Sequence, residues 1–108
     1  MSGGATGGND TATGGEHSHN YLYGDASAMS DASVGGADIL TGGLHSINFI
    51  YGDAFVINGT SVAGADTLMG GEGSYNYLYG DANQTTNNTQ AGNDVLIGGD
   101  LRDRKSVV

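Results

Sequence analysis

Seven aspartates of this 108-residue chain fall on a 28-residue grid: Asp10, Asp38, Asp66 and Asp94 form one series, and Asp25, Asp53 and Asp81 a second. If the chain coils once per repeat, members of a series stack at the spacing of paired strands. Bare carboxylates about 5 Å apart, at an effective dielectric near 20, repel by roughly 3 kcal/mol per neighbouring pair. Such a ladder needs a counter-ion, and no Lys or Arg occurs before Arg102. Oxygen-rich turns of this kind suit Ca²⁺, a hard cation that takes about six to eight oxygens in flexible geometry. The alternative is that the aspartates only hydrogen-bond their own turn backbones, as Asx turns do.

Asn20, Asn48 and Asn76 form a third series on the same grid. An amide both donates and accepts, so these residues are expected to build a neutral asparagine ladder on the side away from the aspartates. Tyr21, Phe49 and Tyr77 make an aromatic column, and Tyr23, Tyr51 and Tyr79 another, both expected to face outward. Exposed aromatic ranks mark contact surfaces, although stacking that only stabilises the sheet, or sugar binding, fits the same residues. His17 and His45 share a column, His19 lies two residues on from His17, and Gly73 holds the third place. That pattern reads as a transition-metal site or as solvent-facing polar filler. No nucleophile, base and orienting group, and no phosphate loop, can be assembled from these columns, so no enzymatic activity is expected.

The elements that must position these residues follow from the repeat itself. "GGNDTATGGEHSHNYLYGDA" from Gly7, "GGADILTGGLHSINFIYGDA" from Gly35 and "AGADTLMGGEGSYNYLYGDA" from Ala63 align, and a truncated "AGNDVLIGGD" starts at Ala91. A period in this range signals a solenoid or array. Within each unit, segments such as "DILT" and "NFIY" have strand character, and each is followed by Gly-Gly or Gly-Asp, which suit tight turns. Strands this short need partners, which stacking successive units in parallel supplies. The inward columns are expected to be Ala12, Leu40, Leu68 and Leu96 on one side and Leu22, Ile50 and Leu78 on the other. The eight residues after each full unit, "SAMSDASV", "FVINGTSV" and "NQTTNNTQ", share no evident pattern and are expected to be loops. The fold class expected is all-β, a parallel β-roll or β-solenoid of about four coils over residues 1–99, followed by a basic tail at 100–108.

The units resemble the nonapeptide GGxGxDxUx of the repeats-in-toxin (RTX) calcium-binding family, in which U is a large apolar residue. "AGNDVLIGG" is close to a full match, and "GADTLMGGEG" and "GADILTGG" keep the GxDxUxGG skeleton; the resemblance runs from Gly7 to Gly99. It implies a β-roll with Ca²⁺ in the turns between coils, in secreted bacterial proteins exported through a C-terminal signal. The chain departs from that pattern in two ways. Successive U positions lie 10 and then 18 residues apart, as from Ala12 to Leu22 and Leu22 to Leu40, and asparagine stands at Asn20, Asn48 and Asn76 where the family places a metal-binding aspartate.

Composition narrows the function classes. Glycine supplies 21 residues, proline, tryptophan and cysteine none, and the net charge is −9. An acidic body repels nucleic acid and anionic lipid and attracts cations or a basic surface. All three basic residues, Arg102, Arg104 and Lys105, lie in the tail, which is expected to dock on an acidic neighbour. "MSGGATGG" has no signal-peptide character, and no segment suits membrane insertion, so the expected route is type I-like bacterial secretion to the extracellular space. Neither end resembles a solenoid cap, which points to head-to-tail self-association into filaments. The alternative is a monomeric secreted calcium module with an adhesive or carbohydrate-binding role.

Overall fold

Each strand of the repeats pairs in parallel with its counterpart 28 positions away. The computed structural model describes residues 1–86 and 88–99 and the backbone of 104–106. Three strands make one coil, and each belongs to a different face. β1 (Thr11–Thr13), β4 (Ile39–Thr41), β7 (Thr67–Met69) and β10 (Val95–Ile97) form the first sheet, in that order. β2 (His19–Tyr23), β5 (Ile47–Tyr51), β8 (Tyr75–Tyr79) and β11 (Arg104–Ser106) form the second. β3 (Ala26–Met29), β6 (Ala54–Ile57) and β9 (Ala82–Thr85) form the third. The result is a β-solenoid measuring 39 × 20 × 18 Å along its principal axes. No helix among the described residues is long and apolar enough to cross a membrane.

Period-2 geometry sends alternate side chains inward. Leu40, Ile50, Leu68 and Leu78 form a fully enclosed cluster between the first two sheets, with Ala12, Leu22 and Leu96 packed at its ends. These are the seven inward residues expected from the repeat. A second cluster lies behind the third sheet, where Met29, Ala54, Ile57, Ala63 and Ala82 pack with Met1 and Ala26.

That second cluster corrects the expectation of loops after each GDA. The third strand takes in the start of each variable octet, and isolated bridges link Thr6, Val34, Val62 and Gln90 along the far end of the octets. A parallel ladder is made by backbone groups, which are indifferent to side-chain identity. Only the inward positions constrain the residue type, and the sequence honours them sparingly, with Ala26, Ala54 and Ala82 in one column and Met29 and Ile57 in another. The octets also share a hydroxyl. Ser33, Ser61 and Thr89 each donate to the carbonyl three residues back, at 2.7, 2.8 and 2.7 Å.

One further rung follows on the second face. The backbone of 104–106 pairs in parallel with β8, with Arg104 opposite Tyr77 and Ser106 opposite Tyr79. At the other end the Met1 amine donates to Ala28 O, and Ser30 N–H donates to Met1 O at 2.8 Å. The third face therefore gains its extra rung at the amino-terminal end, and the second face at the carboxy-terminal end.

Candidate metal centre

The corner between the second and third faces is the Gly-Asp of each GDA, and the corner between the third and first carries the GxD aspartate. Both turn their carboxylates into the interior, where they meet. Asp38, Asp53, Asp66 and Asp81 are at most 1 % exposed; Asp25 and Asp94 are half-buried and Asp10 is exposed. Two groups of three carboxylates, Asp10 with Asp25 and Asp38, and Asp38 with Asp53 and Asp66, each bring one oxygen apiece within 4.8 Å of the others. Asp38 belongs to both, so the acidic column runs on between coils.

Backbone N–H groups occupy one oxygen of Asp25, Asp38, Asp66, Asp81 and Asp94 and both oxygens of Asp53. Asp10 N–H donates to Asp38 Oδ1 at 2.6 Å, Asp38 N–H to Asp66 Oδ1 at 2.8 Å, and Asp66 N–H to Asp94 Oδ1 at 3.0 Å. In the other series Gly36 N–H donates to Asp25 Oδ2 at 2.8 Å, Gly64 N–H is shared by both oxygens of Asp53 at 3.0 Å, and Gly92 N–H reaches Asp81 Oδ1 at 3.0 Å. Five oxygens remain buried with no hydrogen bond: Asp25 Oδ1, Asp38 Oδ2, Asp66 Oδ2, Asp81 Oδ2 and Asp94 Oδ2. The turn-bonding alternative thus accounts for Asp53, but for Asp25, Asp38, Asp66, Asp81 and Asp94 it accounts for one oxygen and leaves the other without a partner. A buried polar atom without a partner is costly.

Electrostatics states the same problem. Burial, more than it is offset by the Asp10 N–H bond, pushes Asp38 up to about 6, with Asp25 and Asp10 charges adding to the rise. Burial likewise raises Asp66 to about 7, opposed by the Asp38 N–H bond and reinforced by the Asp38, Asp94 and Asp81 charges. Asp53, Asp81 and Asp94 are also shifted upward, in each case chiefly by burial. Two remedies exist for such a cluster, namely to hold protons or to hold a cation. No Lys or Arg precedes Arg102, so no lysine or arginine of the repeats can serve. The groups that converge are all carboxylate oxygens, and they fit a hard divalent ion such as Ca²⁺.

Close packing explains the corner glycines. A Cβ on Gly52 would stand 1.7 Å from Gly80 O and 2.1 Å from Asp66 Oδ2. The carboxylate therefore lies directly on the glycine backbone of the corner.

The asparagine series sits at the opposite corner and has no such deficit. Asn48 Nδ2 donates to Gly43 O at 3.0 Å and to Asn76 Oδ1 at 2.7 Å, while Asn48 Oδ1 accepts from Gly43 N–H at 3.0 Å and from Asn20 Nδ2 at 2.8 Å. An adjacent serine ladder escaped the sequence reading. Ser18 N–H donates to Ser46 Oγ at 3.0 Å, and Ser46 N–H to Ser74 Oγ at 2.9 Å. Its only trace in the sequence is Ser18, Ser46 and Ser74 recurring at 28 among many other serines and threonines.

The aromatic columns stack ring on ring. Tyr21, Phe49 and Tyr77 have centroids 5.0 and 4.8 Å apart, and Tyr23, Tyr51 and Tyr79 5.1 and 5.0 Å apart, with planes within 9°. One part of the outward-facing expectation fails. Tyr51 is only 4 % exposed, because Phe55 at the start of the neighbouring face closes over it edge-on at 5.5 Å. Arg102 lies outside the described residues, and for Arg104 and Lys105 the backbone alone is described. No family model, no curated protein and no solved structure matches the chain.

Proposed function

We propose that this chain is a calcium-loaded, non-catalytic structural solenoid of RTX-like type, working outside a bacterial cell and stacking end to end. The observation that carries the reading is the set of five buried carboxylate oxygens without a hydrogen bond, in repeats that hold no Lys or Arg. Asp10, Asp25 and Asp38 would hold one ion and Asp38, Asp53 and Asp66 another. Asp66, Asp81 and Asp94 are the next members of the same series. Bound Ca²⁺ would supply positive charge to both aspartate columns, so that each coil is tied to the next by ionic as well as backbone bonds. Thermal melts by circular dichroism test this directly. At slightly alkaline pH the protein is expected to melt at higher temperature in Ca²⁺ than in chelator, and higher in Ca²⁺ than in Mg²⁺, which tolerates irregular oxygen geometry poorly. Superimposable curves in all three conditions would sink the calcium reading.

End-to-end stacking is favoured by the offset of the faces. The rung that Met1 adds to the third face and the rung that 104–106 adds to the second lie at opposite ends of the molecule. A second copy placed on the axis would continue all three sheets in one direction. Contact of this kind is heterologous and does not close. The tight ring-on-ring stacking of the aromatic columns favours a structural use over a sugar platform, since most ring faces are already covered by neighbouring rings. Sedimentation and negative-stain images with Ca²⁺ are expected to show concentration-dependent rods. A monomer mass with dispersed particles would leave the second reading, a monomeric calcium-dependent module.

A further inference from the structure

The corner that carries the asparagine ladder holds a second kind of ligand. His17 and His45 have φ of 52° and 50°, in the left-handed region that disfavours a side chain, and the equivalent residue of the third coil is Gly73 at 64°. The backbone at this corner thus suits glycine, yet two successive rungs present imidazoles. Each is anchored by the next coil, His17 N–H to Leu44 O and His45 N–H to Glu72 O, both at 3.0 Å. The ring centroids are 5.4 Å apart and the planes are tilted by 33°. Neither imidazole makes a hydrogen bond to another described residue, so each keeps a ring nitrogen for a ligand. A Cβ on Gly73 would come within 2.6 Å of His45 Nδ1, so the His45 ring leans over the space that the glycine leaves. Both rings open into a hollow of about 290 Å³ that His19 and Tyr75 also line.

We propose that His17 and His45 form a solvent-open site for a divalent transition ion of the zinc and copper class, bound across two successive coils. An ion held by two imidazoles at about 2.0–2.1 Å each needs nitrogens roughly 3–4 Å apart, which rings at this separation reach by turning about χ2. Neutral imidazole selects this class over Ca²⁺, just as the all-oxygen aspartate corner selects the reverse. Among the described residues no third histidine or carboxylate completes a group of three at this corner, so water fills the remaining positions. The ion would fasten the first coil to the second on the side away from the aspartates.

The test is calorimetric titration of Zn²⁺ into the full chain near neutral pH, in excess Ca²⁺ so that a hard cation occupies the oxygen corner. One equivalent of Zn²⁺ is expected to bind. His17→Gly and His45→Gly are each expected to weaken it about tenfold or more, because a two-point grip becomes a single one. Glycine suits the left-handed corner, so both variants are expected to melt no lower than the parent, which separates lost ligation from lost fold. His19→Ala is expected to leave the affinity within about twofold, since His19 only lines the hollow. Absence of Zn²⁺ binding, binding unchanged in both glycine variants, or a loss in His19→Ala equal to that in His17→Gly would each overturn the proposal.

Discussion

Asp53 and Asn48 pose the same structural problem with different chemistry. Both are wholly buried corner residues whose side chains bond a glycine N–H and face their own copies along the axis. The amide satisfies its neighbours in both directions, and the carboxylate has nothing to donate. Asp53→Asn is therefore expected to help the chelated protein at alkaline pH, by about 1 kcal/mol or more, while shrinking the gain in melting temperature on adding Ca²⁺. The pH dependence has a definite sign. The buried aspartates titrate above their ordinary value of 3.8, with Asp38 near 6 and Asp66 near 7. Their contribution is then fully present below about pH 4 and is lost as pH rises through 6 and 7. In chelator the melting temperature is expected to fall over that range. In saturating Ca²⁺ the difference between loaded and chelated protein is expected to widen with pH, because binding displaces protons. A chelated protein whose stability rises between pH 5 and 8 would contradict this account. At this scale the sequence was informative: the aspartate and asparagine series could be listed from the 28-residue grid alone. Which oxygens stay unbonded could not, because that depends on which glycine N–H each carboxylate meets.

Among the elements, corners and strands differ in how much the sequence reveals. The first two strands of each coil announce themselves through a lone inward apolar residue, leucine or isoleucine everywhere but at Ala12, and a following glycine. The third hides, since Ala54 and Ile57 sit among Phe55 and Val56, and its counterpart in the next coil reads Ala-Asn-Gln-Thr. Backbone pairing carries that face, with very little side-chain demand. Two substitutions grade these elements by their tolerance. Gly52→Ala pushes a methyl group into Gly80 O and the Asp66 carboxylate, and is expected to cost several kcal/mol or to prevent folding, with or without Ca²⁺. Val56→Thr, on the half-exposed side of β6, is expected to stay within about 0.5 kcal/mol. Urea melts of the two variants measure the contrast, and equal losses would show that the corner is looser than its contacts imply.

The whole molecule behaves as a one-dimensional stack, with stability built from coils and the interfaces between them. Removing residues 36–63 takes out one repeat of 28 and joins Gly35 to Gly64 in register. The shortened chain is expected to fold in Ca²⁺ with a lower melting temperature and weaker overall calcium uptake. Removing residues 36–64, one residue more, shifts every later strand by one place and turns its inward residues outward. That chain is expected to lose its β signal by circular dichroism. Should both deletions behave alike, register would not be what holds the coils together. The period and the solenoid were legible from the sequence because identical spacing is visible without coordinates. The three-sided cross-section was not, because the third side repeats its backbone and little else.

Phe55 closing over Tyr51 has a wider meaning in a molecule made of near-copies. A chain whose coils were all alike could dock any strand on any other copy of itself and still satisfy its backbone. The edge-on aromatic contact exists on one rung alone among the described residues, as does the junction where two histidine corners give way to a glycine corner. Such irregularities act as serial numbers. They let a folding chain tell its second coil from its third, and they penalise the misaligned pairings that so repetitive a sequence invites.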